Sequence, residues 1–271
     1  MSTRLYWFSG TGNSLRLARA LAEAFDDAEL VPIAAAGAEP AEPPERVGLV
    51  FPVYAFGPPN IVARFIAERL PAGPETYIFA AMTYAGEPGP TALIVRKLLR
   101  ARGLELSAAF GVRMPQNYPP MGGAPRTEKQ QQILAKSEQQ IAAAVAAARE
   151  CPRGQINKGN LAVRWIGLIA YPLFHRGMAK ADGKFSVDEN CDHCGLCARI
   201  CPVGDIEIVD GRPRWLGKCQ QCYACFHWCP KGAIQRGRKT AEQVRYHHPD
   251  VKASDMTVRG GAAAGQEESE T

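Results

Sequence analysis

The residues whose types and spacing could do chemistry are eight of the nine cysteines. They fall in two runs, CDHCGLCARICPVGDI and CQQCYACFHWCPKGAI, the second 28 residues after the first. Cys191, Cys194, Cys197 and Cys201 match Cys219, Cys222, Cys225 and Cys229, and Pro202, Gly204 and Ile206 match Pro230, Gly232 and Ile234. Each copy reads C-x2-C-x2-C-x3-C-P, a spacing suited to a [4Fe–4S] cube. Two-residue spacers wind the chain so that three thiolates reach three iron corners, and the fourth Cys, one short helical turn on, points to a second cube. The expected ligand sets are Cys191, Cys194, Cys197 and Cys229 for one cluster, and Cys219, Cys222, Cys225 and Cys201 for the other. Zinc would need only two C-x2-C pairs. Cys151 lies outside the pattern and reads as a plain thiol. Between the copies, IEIVDGRPRW reads as a hairpin turning at Asp210 and Gly211.

A second candidate is the loop Ser9-Gly10-Thr11-Gly12-Asn13-Ser14, which follows a strand-like run and opens a helix. Backbone N–H groups at a helix start, with hydroxyl and amide side chains, make an anion cup. The loop lacks the Lys of a P-loop and the G-x-G-x-x-G of a dinucleotide site, which favours a monophosphate held by neutral donors. Two more loops follow later strands: residues 52–59, with Tyr54, Phe56 and Gly57, and residues 83–87, with Tyr84 and Gly86. Singly, such aromatics are ordinary packing residues. Beside a phosphate cup they can sandwich a flat ring, and the three loops together make FMN the best candidate.

The elements that must carry these loops alternate between strand and helix. Strands are expected over residues 4–8, 28–33, 46–52, 76–82 and 106–114, and helices over 12–25, 60–70, 90–102 and 127–149. This order implies an α/β parallel sheet, with ligand loops at the carboxyl ends of its strands. Residues 34–45 are rich in Ala, Pro and Glu and read as loop.

At this point the chain resembles flavodoxin in its first half, on the stretches YWFSGTGNS and FPVYAFGPP. With RMPQNYPPM, the paired cysteine runs and the following QVRYHHPDV, it is similar over about residues 4–256 to fusions of a flavodoxin-like domain with a two-cluster ferredoxin. The resemblance implies a doubly wound flavodoxin-like sheet of order 2-1-3-4-5 and a small α+β ferredoxin module. It implies that Ser9, Thr11, Gly12, Asn13 and Ser14 bind the FMN phosphate, and that Tyr54, Phe56, Gly57, Tyr84 and Gly86 face the ring, with Asn117 and Tyr118 as further lining. It also implies electron transfer between FMN, two [4Fe–4S] clusters and an external redox partner, either a protein or a small donor or acceptor. Flavodoxins are usually acidic, whereas residues 1–150 carry 15 Lys and Arg against 14 Asp and Glu.

The expected organisation is a flavodoxin-like unit at 1–150, a linker at 151–183, a ferredoxin unit at 184–239 and an extension at 240–271, disordered at its end. Within the linker, residues 161–174 are apolar on most sides, so they read as a helix buried between the two units. A membrane-surface helix is the lesser reading, because a basic face opposite an apolar one is not evident. That run is too short to span a bilayer and holds Arg164 and Pro172. No secretory signal is visible, and cysteines at metal spacing suit the cytoplasm. The net charge of +5 sits mainly in the second half. It lacks the dense basic run of a nucleic-acid site and suits docking of an acidic redox partner. No catalytic triad or carboxylate pair stands out, so the reading leans to an oxidoreductase without assigning catalytic residues. The histidines, His193, His227, His175, His247 and His248, read as surface or packing residues. The competing reading is a ferredoxin-type carrier whose first unit binds no flavin and serves as a docking module.

Overall fold

The computed structural model describes residues 2–37, 42–157, 159–178, 181–237 and 239–257. The chain end expected to be disordered lies, from residue 258 on, outside them. The first half alternates β1 (Thr3–Trp7), α1 (Asn13–Ala22), β2 (Ala28–Pro32), β3 (Arg46–Pro52), α2 (Asn60–Glu68), β4 (Tyr77–Tyr84), α3 (Thr91–Arg100), β5 (Leu106–Arg113) and α4 (Thr127–Arg149). The five strands form one parallel sheet in the order β2-β1-β3-β4-β5. Thr3 lies between Ala28 and Arg46, and Arg46 pairs onward with Tyr77. Strands this apolar need cover on both faces. One face carries α1 and α4 over Leu5, Trp7, Val50, Phe79 and Ala108. The other carries α2 and α3 over Tyr6, Leu49, Phe51 and Ile78. The fold is a doubly wound α/β sheet.

Helix α4 shows how little apolar area a flanking helix needs. Ser137, Ile141, Ala144 and Ala148 recur at helical spacing and make its one buried stripe. Beyond it, the segment around Ile156 runs beside the edge strand. Ala109 donates to Gln155 at 2.8 Å and accepts from Asn157 at 3.1 Å, so the free edge of β5 is partly covered.

Helix α5 (Leu161–Arg176) begins at Asn160, whose side chain accepts from the Ala162 and Val163 N–H groups. The expectation of a helix buried on most sides is overturned. Gly167 is its only buried residue, while Leu161, Trp165, Ile166, Leu168, Ile169 and Leu173 are each at least half exposed. Apolar composition set the expectation, but only one side of the helix meets protein. There Gly167 lets the backbone come down on Pro90 and Phe56, and Tyr171 lies over Gly57 and donates to the Pro58 carbonyl at 3.0 Å.

The cysteine-rich half comprises β6 (Phe185–Val187), α6 (Leu196–Arg199), β7 (Ile206–Val209), β8 (Arg212–Trp215), α7 (Ala224–His227) and β9 (Ile234–Arg236), followed by α8 (Ala253–Met256). β7 and β8 pair antiparallel across Asp210 and Gly211, both at positive φ, as a two-residue hairpin turn requires. β6 pairs antiparallel with β9. Among the described residues no helix is long and apolar enough to cross a membrane.

Candidate functional site: a cavity walled by the second cysteine loop

The repeat in the sequence is also a repeat in the backbone. In each copy a left-handed residue stands on either side of the second cysteine. His193 and Gly195 flank Cys194, and Gln221 and Tyr223 flank Cys222. Gly204 and Gly232 repeat the conformation after the fourth. Such alternation curls the chain so that amides turn inward on sulfur. The Asp205 N–H donates to Cys201 Sγ and the Ala233 N–H to Cys229 Sγ, both at 3.3 Å and at matching positions. The Gln221 N–H donates to Cys219 Sγ at the same distance.

The thiols fall into two groups of four. Cys191, Cys194, Cys197 and Cys229 line one shallow cavity, beside His193 and the β7–β8 hairpin. Burial pushes the Cys197 thiol up to about 11, and Cys229, Cys194 and Cys191 add to that rise. Burial pushes Cys219 up to about 12, with Asp205, Cys201 and Asp182 adding to the rise, and burial raises Cys222 and Cys225, beside Cys201 and Cys219 and, for Cys225, also Cys222 and Cys197. Thiols in such surroundings keep their protons unless a cation takes their place. Among the described residues no group of three or more His, Cys, Asp or Glu side chains could hold a single metal ion. Four soft sulfurs per group, with main-chain amides aimed at Cys201, Cys219 and Cys229, are donors of the kind an iron–sulfur cluster takes.

A cavity of about 480 Å³ opens at the carboxyl ends of the strands. Its floor is the loop after β1, with Ser9, Thr11, Asn13 and Ser14. Gly12, the N-cap of α1 at φ 92°, lies beneath, where a Cβ would press on Val251. Ser9 Oγ accepts from the Gly12 N–H at 3.0 Å, and Thr11 Oγ1 accepts from Asn117 Nδ2 at 2.5 Å. Both hydroxyls thereby keep a hydrogen to donate. Ser14 and Thr83 share one hydrogen bond at 2.7 Å, leaving a further hydroxyl hydrogen. Asn13 differs, because its side chain is taken at both ends. Its Nδ2 donates to Pro115 O, and its Oδ1 accepts from Tyr246 at 2.6 Å. One Nδ2 hydrogen and its main-chain N–H are what it has left to give.

The walls are aromatic. Tyr54 and Phe56 come from the loop after β3, Tyr84 from the end of β4 and Gly86 from the loop after it, and Asn117 and Tyr118 from the loop after β5. Ala55 and Phe56 hold left-handed backbone in a two-residue turn closed by paired Tyr54–Gly57 hydrogen bonds, a strain typical of ligand-facing loops. Gly57 does not reach the cavity and instead lies under the Tyr171 ring. No Lys or Arg lines the cavity among the described residues. Neutral donors below and flat rings above fit a phosphate-bearing flavin.

The remaining wall belongs to the second cysteine loop and α5, through Gln221, Tyr223 and Phe174. Tyr118 donates to Gln221 Oε1 at 2.9 Å, and Gln220 Oε1 accepts the Ile61 N–H at the start of α2. A Cβ at Gly10 would overlap the Cys222 carbonyl oxygen, so glycine is what lets the two loops touch. Trp228 donates to the Gly10 carbonyl at 3.0 Å. Burial raises Tyr54, with Cys222 and Cys219 the next causes, so the phenol stays neutral between cavity and cysteines.

A strap after β9 locks this contact. Arg245 donates to the Phe226, Ile234 and Gly232 carbonyls while lying over the Phe226 ring. The His227 ring spans Asn117 O and the Tyr246 N–H, Tyr246 reaches Asn13, and the His248 N–H donates to Thr11 O at 2.8 Å. The motif reading assigned no role to Phe174, Gln220, Gln221, Tyr223, Arg245 or Tyr246. The second cysteine run contains Gln220, Gln221 and Tyr223, and the run QVRYHHPDV contains Arg245 and Tyr246.

No protein-family model matches the chain, and no curated protein does. Among solved structures a match is "The Structure of Trp Repressor Binding Protein from Bacillus subtilis", 15% identical over 54% of this chain and 95% of that one, with a TM-score of 0.35. At that TM-score the likeness carries no argument, and the fold rests on its own sheet order.

Proposed function

We propose that this chain is an iron–sulfur flavoprotein that passes electrons between FMN, two [4Fe–4S] clusters and an external redox partner. The observation that carries the reading is the shared wall. The loop bearing Cys219, Cys222 and Cys225 packs on Gly10, and its residues Gln221 and Tyr223 line the cavity that would take the flavin. When bound, FMN exchanges two electrons with a donor or acceptor, and clusters carry one each.

The chain's own residues do the rest. Ser9, Thr11 and the Ser14–Thr83 pair offer hydroxyl hydrogens to the phosphate, and α1 adds the positive end of its dipole. Tyr54, Phe56, Tyr84 and Tyr118 hold a ring by its faces and exclude water. Burial of Tyr54 keeps an uncharged group between ring and sulfur. Cys191, Cys194, Cys197 and Cys229 would hold the outer cluster, near the surface, and Cys201, Cys219, Cys222 and Cys225 the inner one.

The test is composition after anaerobic purification and reconstitution. The reading expects about eight irons, eight sulfides and one FMN per chain. Stoichiometric zinc without sulfide would overturn the cluster assignment. Clusters without the visible bands of a flavin would leave a ferredoxin-type carrier with a docking unit.

A further inference from the structure

We propose that helix α5 seats the protein on an anionic lipid bilayer, lying in the plane of its surface. Leu161, Trp165, Leu168 and Pro172 share one side of the helix with Ile166, Ile169 and Leu173, and all are exposed. Trp165 and Ile169 each expose 68% of their surface. The opposite side is spoken for, by Gly167 against Pro90, Tyr171 against Pro58 and Phe174 in the cavity wall. The amphipathic pattern is thus reversed, with apolar side chains outward. A contiguous patch of this kind on a soluble chain marks an interaction surface.

Charge selects the occupant. Between Glu150 and Asp182 the sequence has five Lys and Arg and no Asp or Glu. Arg176, at the helix's last turn, is exposed. Apolar side chains with a tryptophan, in a basic segment without acids, match the interface of a bilayer with anionic headgroups. A second copy is a poorer fit, since a two-fold pairing of this face would bring like charges together with no acid in the segment to offset them. At 16 residues the helix is about 24 Å long, too short to cross and long enough to lie flat.

The test is sedimentation of the full chain with vesicles of phosphatidylcholine alone and of phosphatidylcholine with phosphatidylglycerol. The proposal expects binding to the anionic vesicles that added salt weakens, and little binding to the neutral ones. Trp165→Asp with Ile169→Asp should lower the affinity more than about tenfold. An unchanged thermal midpoint shows that this pair still folds. Arg176→Glu should weaken binding to the anionic vesicles alone. Absence of binding to either vesicle overturns the proposal, as does binding that the double variant leaves intact. Concentration-dependent self-association that the double variant abolishes would assign the face to a second copy instead.

Discussion

The two cysteine runs share one spacing and one backbone but not one environment. Cys194 is exposed, beside a hairpin that stands in solvent. Its counterpart Cys222 is wedged between the cores of both sheet faces, with its carbonyl against Gly10. The left-handed position that a glycine fills in the first copy, Gly195, is taken in the second by Tyr223, which is buried and reaches the cavity. A duplicated ligand pattern has thus been placed once for access and once for contact with the neighbouring site. Surroundings rather than spacing set what each copy can do.

Removing one thiol from each copy gives the largest expected effect. Cys222→Ala should cost about four of eight irons and also release flavin, because the cavity wall loosens with its loop. Cys194→Ala should cost a similar share of iron and leave flavin in place. Cys201→Ala should behave like the Cys222 variant, although it sits in the first run. Iron, sulfide and flavin per chain measure all three, and equal flavin loss in the Cys194 and Cys222 variants would erase the distinction.

The contact itself can be pried open at Gly10. A methyl there meets backbone that cannot swing aside, so Gly10→Ala should cost about 1–3 kcal/mol, read as a lower thermal midpoint. Gly86→Ala, with open space around its Cβ, should stay within about 0.5 kcal/mol. A smaller loss, about 1 kcal/mol, is expected from Tyr246→Phe, which deletes the bond to Asn13 while leaving the ring. Flavin affinity should fall with it if the strap steadies the floor of the cavity.

The weakest handle is pH. Burial lowers His248 to about 4, below the ordinary histidine value, against the attraction of Asp250 and alongside Arg16 and His247. A depressed histidine adds stability that is whole above about pH 6.5 and drains away as pH falls toward 4, by at most about 1.4 kcal/mol per unit. His248→Gln should flatten that part of the profile of unfolding midpoint against pH, and an unaltered profile would remove His248 as its source.

Much of this was written locally. The cysteine repeat needs no neighbours to be recognised, and strands such as residues 46–52 announce themselves by unbroken apolar runs. The sheet order expected from the resemblance is the one observed. What escaped was whatever depends on which surfaces meet. Apolar residues in α5 could not say which side would find a partner. Gly57 looked like a ring contact, but its missing side chain makes room for Tyr171. Asn13 carries the amide of a phosphate donor, yet its Nδ2 donates to Pro115 O and its Oδ1 accepts from Tyr246, more than two hundred residues away.

That last span bears on how the chain is assembled. A contact between Asn13 and Tyr246 cannot form until the chain has been made as far as residue 246, and distant pairings close late. The sheet, complete by residue 113, precedes it and offers a finished bench at Gly10 on which the second cysteine loop settles. Arg245 and Tyr246 tie that loop down, through the Phe226, Ile234 and Gly232 carbonyls and through Asn13. The strap is thus the last stitch of the fold, and on the reading proposed above the interval before it is drawn tight is the time in which the inner group of thiols would be loaded.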